Sequence, residues 1–358
     1  VTGRSIHQVV VGAAIGDAIT SMALTLRERL QQLGPSEIYA HHLAPDVIGE
    51  VFPLRDVGRA SRHDVIVYHA SIGEPAMTRW LLQRPERLVI VYHNITPSKF
   101  FLDHEPHFAA NLQWGRHELT LLRDRVVLAM ADSQFNRADL IEAGYRDVHV
   151  IPAGLKPSRL NSAGYSGRLA GRLRQAFPNG YVLSVSQALP HKRFESLIEA
   201  MHLVQWVHDR QLGLVIVGAP RMLGYQKALE KHARNLRVRQ MLFHGSATES
   251  ELATFYRLAT MYVTTSAHEG LALPPLEAMA FGVPVIARAA GALAVTVGGA
   301  GMVLPADAGP MLISEAIAEV DSNTALRSVL RELGAARVRS IEAQNPSQQF
   351  MQLIGGLR

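Results

Sequence analysis

The sequence predicts an α/β chain of two domains, each a doubly wound parallel sheet with helices on both faces. Three observations lead there. Strand-like apolar runs alternate with helical or polar segments through both halves, the pattern that builds a parallel sheet. A length of 358 residues supports two cores of ordinary size. The stretch 268–288 condenses the same grammar into strand end, glycine-bearing loop, helix start and next buried strand.

Composition limits the classes. Apolar residues make up 48% and charged residues 19%, which describes a folded globular chain and not a disordered one. The net charge of +5 is modest, and only five of the 36 basic residues are lysine. Such a balance allows acidic partners (nucleotide, phospholipid, nucleic acid) without choosing among them. The absence of cysteine excludes disulfides, thiolate nucleophiles and cysteine-ligated zinc. No apolar run approaches the roughly 18 residues of a membrane span, and no charged-then-apolar leader opens the chain, so a cytoplasmic location is expected.

In chain order, residues 6–14 read as a buried strand that turns at Gly12 and Gly16-Asp17 into a helix through Leu33, with Ile19, Met22, Leu24 and Leu30 broadly at helical spacing. The two glycines are four apart, which is not the dinucleotide fingerprint. Strands are expected at 37–40, 64–68, 87–92, before Asp132-Ser133, and at 148–151, with helices at 111–122 and 136–143. Pro152-Ala153-Gly154 follows, and the Gly/Ser/Asn-rich piece 161–167 reads as a linker or loop. The second half repeats the alternation: strands at 181–185, 212–218, 238–244 and 261–265, helices at 194–208, after Gly224 and at 249–258, then one helical stretch at 315–342.

Two strand ends of the first half carry histidines, His69 and His93, where parallel sheets receive ligands. His69 reads as structural. Asp103, His104, Glu105 and His107 make no convincing metal site, because Pro106 interrupts them and the histidines lack helical spacing.

Within 268–288, Pro274 and Pro275 stand where a helix begins, Ala278 to Ala280 favour helix, and Gly282 punctuates its end. Such a loop turns backbone N–H groups and a positive dipole end toward a ligand, which suits a phosphate. Glu269 and Glu277 flank the turn in a Glu-x7-Glu spacing, Glu277 being placed in the first helical turn. Carboxylates beside a phosphate are better explained as acceptors for sugar hydroxyls.

This wording, Glu269-Gly270-Leu271-Ala272-Leu273-Pro274-Pro275-Leu276-Glu277-Ala278-Met279, resembles the signature of the retaining group-1 glycosyltransferases of the GT-B fold. The resemblance implies two Rossmann-like domains facing a central cleft: an acceptor-side domain at 1–157, a nucleotide-sugar domain at 158–340, and a segment 341–358 crossing back to the first. Pro152-Ala153-Gly154 would be the interdomain connection. The family's donor diphosphate is reached by a basic pair five apart. Lys192 matches, but Gln187 stands where arginine is usual, with His191 or Arg193 as candidates to compensate. Ala272 is a second departure, since glycine is commoner there.

The implied catalytic residues are His93 on the transferred sugar, Lys192 on the diphosphate and Glu269 on the sugar hydroxyls. The implied donor-binding set is Gly16, Asp17, Gln187, Lys192, Ser246, Glu269, Gly270, Leu271, Ala272, Leu273 and Glu277, the last on the ribose. Both glutamates are expected to line an open cleft. No cofactor and no metal are expected, because the sequence has no Asp-x-Asp pair. The implied partners are a nucleotide sugar, with a lean to GDP-mannose from the wording at 92–97 and 269–279, and a saccharide or lipid-linked acceptor. Peripheral membrane contact is compatible with this; nucleic acid is not, for want of basic runs interleaved with aromatics. The competing readings are a nucleotide-sugar epimerase and a non-catalytic nucleotide-sugar sensor.

Overall fold

The chain divides into two compact units, one formed by Val1–Leu155 with Asn345–Arg358 and the other by Lys156–Gln344. The computed structural model describes residues 4–58, 61–152 and 154–357. Ala153, at the centre of the expected interdomain connection, lies outside them.

Among the described residues the first unit holds seven strands, β1 (Ile6–Ala13), β2 (Ile38–Leu43), β3 (Phe52–Pro53), β4 (Val65–Ala70), β5 (Arg87–Tyr92), β6 (Val126–Ala131) and β7 (Val148–Val150). They form one sheet in the order β3-β2-β1-β4-β5-β6-β7, every pairing parallel. Covered on both faces, β4 and β5 are almost continuously apolar, as strands of a buried parallel sheet must be. Its helices are α1 (Ala18–Leu30), α2 (Pro75–Gln83), α3 (Pro106–Leu122) and α4 (Gln134–Glu142).

In the second unit the strands are β8 (Tyr181–Val185), β9 (Gly213–Val217), β10 (Met241–His244), β11 (Met261–Thr264), β12 (Val285–Arg288) and β13 (Met302–Leu304). Their order is β10-β9-β8-β11-β12-β13, again all parallel. The helices are α5 (Gly167–Ala176), α6 (Phe194–Trp206), α7 (Leu223–Asn235), α8 (Glu249–Leu258), α9 (Leu273–Ala280), α10 (Leu293–Val297), α11 (Pro310–Ser322) and α12 (Thr324–Ala343). The last helix, α13 (Pro346–Gly356), belongs to the first unit, where Phe350 and Ile354 join Leu26, Leu30 and Val65 in its core.

Strand order reverses between β1 and β4 in one unit and between β8 and β11 in the other. These are the switch points where open α/β sheets leave a crevice at their carboxyl ends.

Several local expectations need correction. The stretch 315–342 is two helices, because Asn323 caps α12 by accepting from the Leu326 N–H at 2.9 Å and ends α11. Helix α3 begins at Pro106, five residues before its expected start, since proline is at ease in a first turn. The expected linker 161–167 is partly helical: a 3-10 turn covers Pro157–Ser162, and Ser166 caps α5. Gly73 and Gly115 let the β4–α2 loop touch α3, since a Cβ on either would lie within 2.5 Å of the other's backbone nitrogen. Among the described residues no helix is long and apolar enough to cross a membrane.

Candidate active site

At the β8/β11 switch point lies a cavity of about 120 Å³. Ser184, Val185 and Ser186 line it from β8 and its exit, Tyr262, Thr264 and Ser266 from β11 and its exit, and Ala272, Pro274 and Pro275 from the start of α9. Lys192 and Glu269 meet inside it: Lys192 Nζ donates to Glu269 Oε1 at 2.7 Å, and Ser266 Oγ donates to the same oxygen at 2.7 Å. Both charged side chains keep about a sixth of their surface exposed, 16% and 17%, so the pair is reachable from solvent.

Two loops are stitched together to hold it. Thr265 Oγ1 donates to the carbonyls of Lys192 and Arg193, and the Ala267 N–H donates to the His191 carbonyl. Arg193 sits at φ 55°, ψ 42°, a left-handed kink that ends the turn Pro190–Lys192 and starts α6. On the far side the Glu269 carbonyl accepts from the Ala292 N–H, and Thr296 Oγ1 donates to the Leu271 carbonyl. Gly291 permits this approach, since a Cβ there would stand 2.3 Å from the Glu269 oxygen.

Helix α9 starts at Leu273, and its N-cap is Ala272 at φ 65°, ψ 72°. That is left-handed backbone, which glycine adopts freely and alanine only with strain. The turn conformation therefore explains why glycine is the commoner residue at this position. Gln187 follows Ser186 just beyond the cavity wall. His191 cannot replace the missing arginine charge: burial pushes its imidazole well below the ordinary histidine range, and Lys192 beside it pushes the same way.

Glu277 departs from expectation in two respects. It is the fifth residue of α9, in the second turn, and it is 3% exposed instead of lining an open cleft. Its carboxylate accepts from the Tyr256 hydroxyl at 3.0 Å and lies 3.8 Å from Arg159. Burial pushes its pKa up, partly offset by Tyr256 and Arg159. Helix α9 is enclosed by the unit, with Leu276 to Met279 all buried, so this position has no solvent face. Ser246 lies exposed beyond β10 and does not line the cavity. Gly270, Leu271 and Leu273 belong to the loop and helix start around it.

In the first unit Gly16 is at φ 81°, a turn that glycine suits. Asp17 caps α1, accepting from the Thr20 N–H and hydroxyl at 2.8 and 2.9 Å. His93 sits in a row of side chains at neighbouring strands. His93 Nε2 is 2.8 Å from His69 Nδ1, and His93 Nδ1 is 2.7 Å from Asp132 Oδ2. His69 Nε2 in turn is 2.9 Å from Gln8 Oε1. The row thus crosses β1, β4, and the exits of β5 and β6. The His93 side chain is 2% exposed and Asp132 4%. Burial, then the neighbouring His93, push His69 well below the usual range, so it is neutral.

Sequence reading did not single out Ser266, Tyr256 or Gln8, and it marked Asp132 only as part of a strand end that resembles the family, with no role given. Asp132 had a usable signal, a lone acid directly after an apolar strand. Within the last residues of β2, His41 and His42 bring a ligand nitrogen each to within 4.8 Å of a Glu74 oxygen, a grouping that residue spacing does not reveal. A larger groove of about 640 Å³ runs past Arg123, Val127 and Arg146 at the amino end of β6, away from the strand ends where such sheets bind ligands.

A doubly wound pair of parallel sheets with a charged cavity at a switch point defines a ligand-binding α/β protein. Residues 175–337 match the model of the family glycosyl transferases group 1. The serotype-specific mannosyltransferase WbdA of Escherichia coli is 32% identical over 117 residues, 30% of this chain and 14% of its own. The O-antigen chain mannosyltransferase B of Escherichia coli is 25% identical over 283 residues, 75% of this chain and 70% of its own. The chain thus covers only a small part of the length of the first of these relatives. Anabaena HepE in complex with UDP-glucose superposes with a TM-score of 0.74 at 17% identity, over 98% of this chain and 100% of that one. At that identity the likeness concerns the fold, which is GT-B.

Proposed function

We propose that the protein is a retaining glycosyltransferase that moves a hexose from a nucleotide sugar to a saccharide or lipid-linked acceptor without a metal. One observation carries this reading: Lys192 and Glu269 stand 2.7 Å apart in the switch-point cavity, inside the segment that matches the family. A cation for a diphosphate and a carboxylate for sugar hydroxyls must be neighbours if both serve one donor, because the sugar and the diphosphate are bonded to each other. On binding, the pair exchanges partners: the diphosphate takes Lys192 and the sugar takes Glu269. Lys192, the backbone of the 270–273 loop and the amino end of α9 then meet the charge that develops on the leaving phosphate. Glu269 faces the positive charge of an oxocarbenium-like transition state.

Mannose from GDP-mannose is the donor this reading favours. The relatives named above are mannosyltransferases, and the wording of 92–97 and 269–279 resembles that of mannosyltransferase members. The missing Asp-x-Asp pair motivates metal independence. The test is transfer of mannose from GDP-mannose to a panel of saccharide and lipid-linked acceptors, before and after exhaustive chelation, with the product anomer read by NMR. Retained configuration and chelation-proof turnover support the reading. Inverted product, or activity that returns only with added manganese or magnesium, contradicts it.

A further inference from the structure

With His69 neutral and Asp132 as the carboxylate, donor and acceptor counting along the row Gln8–His69–His93–Asp132 sets where its protons sit. The amide of Gln8 is oriented by its own Nε2, which donates to the Ala23 carbonyl at 2.8 Å. Its Oε1 therefore faces His69, and an amide oxygen only accepts, so His69 Nε2 carries a hydrogen. Neutral His69 then has a bare Nδ1, and His93 Nε2, 2.8 Å away, must donate to it. At the other end a carboxylate oxygen of Asp132 lies 2.7 Å from His93 Nδ1, a spacing that requires a hydrogen between them. Both nitrogens of His93 are thus donors.

We infer that His69 and Asp132 are positioning residues that hold His93 as a doubly protonated ring, oriented at the carboxyl edge of the sheet with both of its hydrogen bonds used inside the protein. Gln8 fixes the tautomer of His69, and Asp132 matches the extra proton with a negative charge, so the pair is neutral overall. A ring in this state offers a ligand no free N–H. The ring is held rigid, with its charge balanced by Asp132, and so it does not oppose positive charge building on a nearby sugar. This deepens the reading of His93 as the residue that meets the transferred sugar and rests on it for its purpose, though not for its evidence.

The other oxygen of Asp132, Oδ1, is buried without a hydrogen-bond partner among the described residues. One carboxylate oxygen is therefore committed wholly to His93. His69 adds a sharp condition. Its two bonds, one accepted and one donated, are those a glutamine amide can reproduce, whereas leucine fills the space and makes neither.

The experiment is nitrogen NMR of the full chain labelled at histidine, with no donor added, so that its outcome is independent of whether the protein transfers a sugar. The inference expects protons on both nitrogens of His93 and on Nε2 alone of His69. In Asp132→Asn, His93 should lose one proton. His69→Gln should keep the doubly protonated signature of His93, and His69→Leu should lose it. Melting curves of each variant confirm that a folded protein is being read. A bare nitrogen on His93 in the parent chain overturns the inference, as does a His93 spectrum unchanged in Asp132→Asn or in His69→Leu. Failure of sugar transfer with an intact His93 signature would count against the proposed function alone.

Discussion

Lys192 and Glu269 are 77 positions apart in sequence and 2.7 Å apart in space, each the other's charge partner in a cavity built from two stitched loops. A pair so placed is set to trade partners with a ligand that carries both an anion and hydroxyls. Lys192→Ala removes the cation and should lower turnover at least about a hundredfold, on the order of 3 kcal/mol. Glu269→Gln should lower turnover as well, yet tighten binding of free GDP or UDP severalfold, because Lys192 is no longer held. Steady-state kinetics and calorimetric titration of both variants decide it; unchanged affinity in Glu269→Gln contradicts partner exchange.

Glu277 belongs to the core of its unit, so its loss is first a matter of stability. Glu277→Ala leaves the Tyr256 hydroxyl only its longer, 3.3 Å bond to the Pro274 carbonyl and opens a void, at a cost of about 2 kcal/mol, which lowers the melting temperature by several degrees. Glu277→Gln keeps an acceptor for Tyr256 and should lose much less. Equal melting temperatures for the alanine variant and the parent would show that this hydrogen bond carries no weight.

Ala272 is held left-handed at φ 65°. Ala272→Gly should relieve that strain and raise stability by up to about 1 kcal/mol, net of the entropy glycine loses on folding. Thermal denaturation measures it. A lower melting temperature would mean that alanine packing outweighs the backbone cost.

In the first unit Glu118 is buried on α3, where Tyr68 donates to it at 2.5 Å and Thr78 also donates. Burial pushes its pKa up to about 7, against hydrogen bonds from Thr78 and Tyr68 that pull it down. A carboxyl raised above its unfolded value of about 4.5 favours the protonated form in the fold. Its contribution is complete below that value and is lost as pH rises through about 7. Stability should therefore decline between about pH 5 and pH 8 by as much as 3 kcal/mol. Glu118→Gln should flatten that slope; a slope equal to the parent's would assign it to other groups.

What could be read from the sequence was what is local. The strand, loop and helix start of 268–288 are written in adjacent residues: an apolar run, a glycine, two prolines, two alanines. Lys192 and Glu269 were each legible within their own turns, and only the fold shows that they touch. The row Gln8–His69–His93–Asp132 joins residues 61, 24 and 39 positions apart, and no local pattern announces such contacts. Glu277 was misplaced because an eight-residue helix is too short for periodicity to distinguish a wet face from a dry one, and α9 has no wet face here. The break at Asn323 was hidden by good helix formers on both sides of it.

The most direct measurement is the melting temperature of the parent chain and of Lys192→Ala across a panel of nucleotide sugars that includes GDP-mannose and UDP-glucose. A ligand at a hundred times its dissociation constant adds about 2.7 kcal/mol, a shift of several degrees. At least one nucleotide sugar should produce that shift in the parent, and Lys192→Ala should abolish it. A panel with no shift in the parent, or the same shift in both proteins, would contradict a nucleotide-sugar site built on Lys192 and Glu269.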